Sequence, residues 1–301
     1  MSSGEQAFRC GYVAIVGAPN VGKSTLLNSI LEEKISIVAA RPQTTRQRVL
    51  GILNRDDAQI VFLDTPGVIT PKYLLHAKML QHVASAAVDA DVILALTDIS
   101  RNGDLPAEVL EILNANRSKP ILLALNKVDT IFKPDLLPII ARFAQQGLFR
   151  EVVPISALKN KNVDDLIRTL SKYLPEHAAL YPTDVISEQP ERFFVAEFIR
   201  EKVFMAFRDE IPYSTAVEVV EFNERTEGKT LIRADIIVER DSQKGILIGK
   251  GGEALKRIGR SARKDIELFI QREVYLELRV KVREHWRENE GMLKRLGYSK
   301  E

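Results

Sequence analysis

Short runs of consecutive apolar residues, each closed by a turn or a polar residue, recur through the first half of the chain. They are Tyr12-Val13-Ala14-Ile15-Val16, Gln59-Ile60-Val61-Phe62-Leu63, Val92-Ile93-Leu94-Ala95-Leu96, Ile121-Leu122-Leu123-Ala124-Leu125 and Glu151-Val152-Val153-Pro154-Ile155. Runs of this length predict buried strands. Val49-Leu50-Gly51-Ile52-Leu53 is a further strand candidate. Between the runs, apolar residues return at helical spacing from Ser24 to Leu31, from Leu105 to Asn114 and from Val163 to Leu174. Strands alternating with helices predict an α/β domain with a mostly parallel sheet.

Past Pro175 the pattern changes. Residues 174–184 carry no apolar periodicity and hold two prolines, Pro175 and Pro182, which reads as an interdomain connection. Apolar positions 194, 195, 198, 199, 203 and 207 then mark a helix over Arg192 to Phe207. Ala216 to Phe222 and Leu231 to Val238 read as two strands joined by a turn at Glu227-Gly228. Leu255, Ile258, Ala262, Ile266 and Phe269 form a second helical stripe, and Val274 to Val282 alternates as a last strand. The boundaries that follow are a first domain over 8–176, a linker over 177–190, a second, α+β domain over 191–285 and a tail over 286–301. The tail carries Trp286 and the pair Lys294-Arg295, and its role is left open between packing on the second domain and touching a ligand.

Composition narrows this picture only slightly. The 301 residues are 45% hydrophobic and 28% charged, ordinary for a globular chain of two domains. The net charge of +2 names no partner. A single cysteine, Cys10, rules out an intrachain disulfide and fits a reducing compartment. Four scattered histidines suggest no metal cluster, no apolar run approaches a membrane span, and the N-terminus does not read as a secretory signal. The expected location is the cytoplasm.

The chemistry begins directly after the first strand, at Gly17-Ala18-Pro19-Asn20-Val21-Gly22-Lys23-Ser24. A strand, a glycine loop of pattern G-x-x-x-x-G-K-[ST] and a helix follow in the order that a phosphate cradle needs. Gly17 and Gly22 let successive N–H groups turn inward, the helix N-terminus adds partial positive charge, Lys23 reaches the terminal phosphates, and Ser24 is placed to hold Mg²⁺. Thr25 continues the phosphate site. The second strand runs into Asp64-Thr65-Pro66-Gly67, where Asp64 can hold Mg²⁺ through water and the Gly67 N–H can meet a γ-phosphate. The polar stretch Ala39 to Arg48, with Thr44 and Thr45, reads either as a loop lending a threonine hydroxyl or as a solvated connection.

Asn126-Lys127-Val128-Asp129 closes the fourth apolar run. Asp129 can accept two hydrogen bonds from guanine, whose ring N–H and amine suit a carboxylate, whereas adenine offers the wrong donors. Asn126 serves the base and braces the phosphate loop, and the stem of Lys127 can lie over the ring. After the last run, the small residues Ser156 and Ala157 allow a backbone N–H to meet the guanine carbonyl oxygen.

All five motifs, in order over residues 10–175, resemble those of the Ras-like GTPases. By that resemblance the fold is a P-loop GTPase domain, the ligand is GTP or GDP with Mg²⁺, Thr45 coordinates the metal, and Lys23, Thr45, Asp64 and Gly67 form the catalytic set. One departure stands out: many such enzymes place a water-orienting glutamine after the Asp-x-x-Gly glycine, whereas this chain has Val68. Slow intrinsic hydrolysis is expected, raised by a partner or an ion. In related GTPases whose loop reads Gly-x-Pro-Asn-Val-Gly-Lys-Ser, the asparagine helps bind K⁺, which points to Asn20.

In the second domain, Gly249-Lys250-Gly251-Gly252 sits between helical stretches. Glycines at 249 and 252 let phosphates approach the backbone. Residues 244–264 hold seven Lys/Arg against one acid, while 184–301 balances at 23 of each sign, so positive charge is concentrated at this loop and its helix. Element order and loop together resemble the type II KH domain, which clamps about four single-stranded nucleotides. Gly249, Lys250, Gly251, Gly252, Lys256, Arg257 and Arg260 are the RNA-binding candidates.

A GTPase domain followed by a type II KH domain in about 300 residues is similar to the Era family of GTPases. The resemblance implies a nucleotide-gated switch that binds the single-stranded 3′ region of small-subunit (16S) ribosomal RNA during maturation of the small ribosomal subunit. A monomer is expected, with peripheral association at the inner membrane as an open addition. Two other readings stay open: an RNA-binding module with a structural GTP site, and a membrane-associated signalling GTPase whose basic helix meets anionic lipid.

Overall fold

The computed structural model describes residues 7–39, 41, 43–101, 103–224 and 228–298. Contacts group these into two compact units: the first holds 7–36, 45–71 and 79–188, the second 37–44, 72–78 and 189–298.

The first unit is built on a six-stranded sheet of order β2-β3-β1-β4-β5-β6. Its strands are β1 (Arg9–Val16), β2 (Val49–Asn54), β3 (Ala58–Asp64), β4 (Val92–Asp98), β5 (Ile121–Asn126) and β6 (Glu151–Pro154). Only β2 runs antiparallel, against β3; the other pairings are parallel. Every residue of β3, β4 and β5 is buried, which is why these runs read as continuously apolar. Helices α2 (Leu74–Asp89), α3 (Ala107–Ala115) and α4 (Lys133–Gln145) send Val83, Val109 and Phe143 into one core with Ala14, Leu63, Ala95 and Leu123. The alternate residues Val13, Ile15 and Phe62 are also fully buried, and α1 (Lys23–Leu31) and α5 (Val163–Tyr173) complete the helical set.

Because β1, β3, β4, β5 and β6 are parallel, their C-terminal ends share one edge of the sheet. Residues 177–188, expected as a linker, belong to the first unit and are tied down on β2 and β3. Gln59 receives the N–H groups of Leu180 and Tyr181 at 2.8 and 2.9 Å and donates to the Tyr181 carbonyl at 2.8 Å. Ile52 N–H donates to the Ile186 carbonyl at 2.8 Å.

The second unit has α6 (Glu191–Ala206), a single turn α7 (Ile211–Ser214), β7 (Ala216–Asn223), β8 (Thr230–Val238), α8 (Asp241–Ile248), α9 (Glu253–Ile270), β9 (Val274–Val282) and α10 (Glu290–Arg295). The sheet order is β7-β8-β9, with β7 antiparallel and β9 parallel to β8. Ile258, Ala262, Ile266 and Ile270 form the buried stripe of α9, and Phe269 packs on Phe194 and Phe198 of α6 at centroid distances of 4.8 and 5.3 Å. The expected turn at Glu227-Gly228 lies partly outside the described residues. The tail packs on this unit: Trp286 is fully buried and donates its indole N–H to the Ser214 carbonyl at 2.9 Å.

Candidate functional site

At the C-terminal strand edge, the turns after β3 and β5 meet residues 17–24. β1 ends at Val16 and the chain turns at once, and two glycines make the turn possible. A Cβ on Gly17 would lie 2.3 Å from the Leu96 carbonyl oxygen; one on Gly22, whose φ is +103°, would lie 2.3 Å from Asn126 Nδ2. The loop is closed by its neighbours. Asn126 Nδ2 donates to the Val21 carbonyl at 2.8 Å, Lys127 Nζ to the Asn20 carbonyl at 2.9 Å, and Val68 N–H to the Gly17 carbonyl at 3.1 Å. Gly67 must be glycine for a related reason: its Cβ would fall 2.8 Å from Pro19 Cα.

Gly22→Ala therefore meets both left-handed backbone strain and the Asn126 amide. The expected cost is about 2 kcal/mol or more of stability, together with weakened GDP binding, read by thermal unfolding and by titration with a fluorescent GDP. Wild-type values in both would mean that the loop is not set by this contact.

Lys23 is buried, and its ammonium donates to the carbonyls of Gly17 at 3.1 Å and Ala18 at 2.9 Å. Burial pulls its pKa down to about 8, opposed by the charge of Asp64. Asp64, at the end of β3, is fully buried, and burial pushes its carboxyl upward. Three hydroxyls converge on its Oδ2: Ser24 Oγ at 2.9 Å, Ser36 Oγ at 3.1 Å and Thr45 Oγ1 at 3.4 Å. Ser24 and Thr45 also share a hydrogen bond of 2.8 Å. Between the two threonines it is Thr45 that joins this cluster. The other carboxylate oxygen, Oδ1, is buried with no hydrogen-bond partner. An orphaned buried acceptor among hydroxyls, beside a buried lysine, is a donor set that fits a hard divalent cation and the phosphates it would bridge. Thr25 follows half-buried on α1.

The base side is built by β5 and the turn after β6. Lys127 takes φ +67°, which carries Asp129 out to an exposed position. Asn126 is braced twice, since its Oδ1 also accepts from Ala157 N–H at 2.9 Å. Ser156 N–H is likewise engaged, by the Lys161 carbonyl at 3.1 Å. Two partners were not picked out from the sequence. Ser36 lies in an unremarkable connection and offered no signal. Asp98, which holds Lys127 Nζ at 2.6 Å, could have been suspected because it ends a buried strand at the same edge. Asn20 has φ +63°, and Val68 is buried in the core.

In the second unit, α8 ends at Ile248 and α9 begins at Glu253. Gly249 has φ +70° and ψ 177°, a region essentially reserved for glycine, and a Cβ there would lie 2.8 Å from that of Ala254. Gly251 and Gly252 also have positive φ, with nothing within 4 Å of an added Cβ, so their backbone is open to an approaching ligand. On one side of α9 is a groove of about 450 Å³, floored by Leu255, Leu276 and Leu278 and edged by Lys256, Arg260 and Arg263. On the other, Lys250, Arg257 and Arg260 line a second concavity. Apolar floor and cationic rim suit bases and phosphates respectively. Leu276, Leu278 and the exposed Tyr275 escaped sequence reading, because alternation along β9 reports its two faces and not its edge.

Comparison with known proteins bears on the family and the fold. Residues 12–127 match the family model described as 50S ribosome-binding GTPase, and residues 210–287 match that of the KH domain. The chain is 48% identical over 297 residues to GTPase Era of Geobacter metallireducens, covering 98% of this chain and 99% of that one. With a GTPase Era of Clostridium botulinum the identity is 45% over 296 residues, covering 97% and 99%. A solved structure of Aquifex aeolicus Era bound to GDP and AlF4⁻ superposes with a TM-score of 0.93 at 42% identity, covering 97% of this chain and 100% of that one. An Era complex with MgGDPNP and nucleotides 1506–1542 of 16S ribosomal RNA gives the same score and identity, covering 97% and 99%.

Proposed function

The chain belongs to the Era family of GTPases, and from that premise we propose that it is a GTP-hydrolysing switch that binds the 3′ region of 16S ribosomal RNA and acts in maturation of the small ribosomal subunit. The single observation that carries the reading is the pairing, in one chain, of the Lys23–Ser24–Thr45–Asp64 cluster with the open Gly249–Gly252 loop beside a basic groove.

In the nucleotide site, the loop N–H groups and Lys23 take the phosphates, and Gly67 N–H meets the γ-phosphate. Ser24, Thr45 and Asp64 would hold the metal ion, and Mg²⁺ there would supply neutralisation of the phosphate charge. Asp129 selects guanine, Asn126 locks the base site to the phosphate loop, and the Ser156-Ala157 turn closes the far side of the base. Lys127 is anchored at both Asn20 and Asp98. Val68 brings no group able to orient water, so the attacking water is left to a partner or an ion, and Asn20 is the candidate K⁺ contact.

In the RNA site, Lys250, Lys256, Arg257 and Arg260 take phosphates along the track, while Gly249, Gly251 and Gly252 let the strand reach the backbone. No described helix is long and apolar enough to cross a membrane. The chain is read as acting where the ribosome is, in the cytoplasm and as a monomer, with lipid flotation the check on any peripheral membrane binding.

The test is GTP turnover with and without a single-stranded RNA matching the 3′ end of 16S ribosomal RNA, with a scrambled RNA as the charge control. Stimulation by the matching RNA alone is expected, and equal rates in all arms would reduce the second unit to a tether. Running the same assay in K⁺ and in Na⁺ at equal ionic strength should show faster turnover in K⁺. Equal rates would remove Asn20 from that role.

A further inference from the structure

Asp98 ends β4 beside Asn126, its register partner on β5, and only 4% of it is exposed. Both of its carboxylate oxygens are engaged. Oδ2 accepts from Lys127 Nζ at 2.6 Å. Oδ1 accepts twice from Ser100, from the backbone N–H at 3.0 Å and from Oγ at 2.6 Å. Ser100 is carried there by the single turn Ile99–Arg101 that follows the strand. Burial would push the Asp98 carboxyl upward, but the Lys127 ammonium and the Ser100 donors outweigh it and hold the group below its ordinary value. It stays a carboxylate.

The same ammonium donates to the Asn20 carbonyl at 2.9 Å. Lys127 is held at its backbone end too, where its carbonyl accepts from Thr130 N–H at 3.0 Å and from Thr130 Oγ1 at 2.7 Å. The four-carbon stem thus spans from the turn that carries Asp129 to the phosphate loop. A lysine with its head in water would leave that stem free to rotate, and an arriving nucleotide would have to immobilise it. Fixing the head against two acceptors places that entropy loss ahead of binding.

Resting on the guanine-site reading above, we propose that Asp98 is a positioning residue that fixes the stem of Lys127 as a preformed wall for the purine ring and so sets how long the nucleotide stays bound. Ser100 keeps Oδ2 turned toward the ammonium. Asp98 takes no part in choosing the base, because the stem offers only carbon to the ring face and the donor pattern is read at Asp129.

Asp98→Asn isolates this role. It keeps the shape, but the two Ser100 donors claim the one oxygen of the amide, and its NH2 then faces the Lys127 ammonium, donor against donor. The measurement is dissociation of a fluorescent GDP, and of the matching fluorescent IDP, from the full chain. Asp98→Asn should speed the loss of both by ~10-fold or more, the scale of one charge-assisted hydrogen bond, and leave the ratio between them unchanged. Inosine lacks the amine that Asp129 reads, so a turn displaced as a whole would shrink that ratio, and shrinkage would overturn the proposal. Lys127→Ala should speed dissociation as well, and adding Asp98→Asn to it should change nothing further, because Asp98 acts through the lysine. Additive effects of the two substitutions, or wild-type dissociation from Asp98→Asn, overturn the proposal too. Thermal unfolding checks that each variant folds. Should Asp98→Asn not fold, Ser100→Ala, at an exposed residue, carries the test: a smaller acceleration, equal for both nucleotides, is expected, and none would be fatal. Failure of wild type to bind GDP at all would instead defeat the guanine-site reading.

Discussion

Asp129→Asn should lose GTP affinity by about 10²–10⁴-fold and gain affinity for xanthosine triphosphate. A carboxylate accepts from both the ring N–H and the amine of guanine, and hydrogen bonds to a charged group contribute about 1.5–3 kcal/mol each. Losing or mispairing both is therefore worth about 3–6 kcal/mol. The amide of asparagine offers one acceptor and one donor, which matches xanthine, where a carbonyl replaces the amine. Asp129 is exposed and sits in a turn set by the left-handed Lys127. Stability should thus move by no more than about 0.5 kcal/mol, so a change in nucleotide choice cannot be blamed on unfolding. Competition between the two triphosphates, with thermal unfolding alongside, makes the measurement. Unchanged preference for guanine would undo the assignment of the base site.

Much of this site could be read from the chain because its residues sit at ends of buried strands, where local pattern and position coincide. Gly17, Asp64 and Asn126 each follow or close an apolar run, and parallel strands carry them to one edge. Thr45 was less readable. Nothing local separates it from Thr44, and the choice is made by which hydroxyl reaches Asp64 across 19 residues of sequence. Helix α4 was missed because Pro138 argues against a helix interior, although Pro134 suits a first turn, yet Leu136, Ile139, Ile140 and Phe143 bury its inner face. Tertiary packing outweighs the lost backbone bond. Helix α2 was missed as well, although its apolar positions line the same core. The grouping of residues 37–39, 41, 43 and 44 with the second unit was beyond sequence reading altogether, since Glu201 and Lys202 look like a solvated pair until both prove to be buried.

Gly252→Asp should lower affinity for the 3′-end RNA by ~100-fold or more while leaving nucleotide binding untouched. Position 252 separates fold from ligand better than its neighbour. An aspartate at Gly249 would meet Ala254 and a glycine-only backbone, so its failure to bind RNA could be misfolding. At Gly252 the backbone is left-handed, φ +80°, which aspartate tolerates better than most residues, and an added Cβ meets nothing within 4 Å. The structural cost is then on the order of 1 kcal/mol, while the carboxylate stands where a phosphate must approach. Gly252→Asn is the matched control, with the same strain and shape but no charge. Binding should fall in the order wild type, Asn, Asp, and the gap between Asn and Asp should shrink as salt is raised, since that gap is electrostatic. Lys250→Gln supplies the opposite arm: removing one phosphate contact should lower the salt slope by about 0.7 for a single strand. If the Asp and Asn variants bind as wild type does, the strand does not cross this loop, and the groove beside α9 has another occupant.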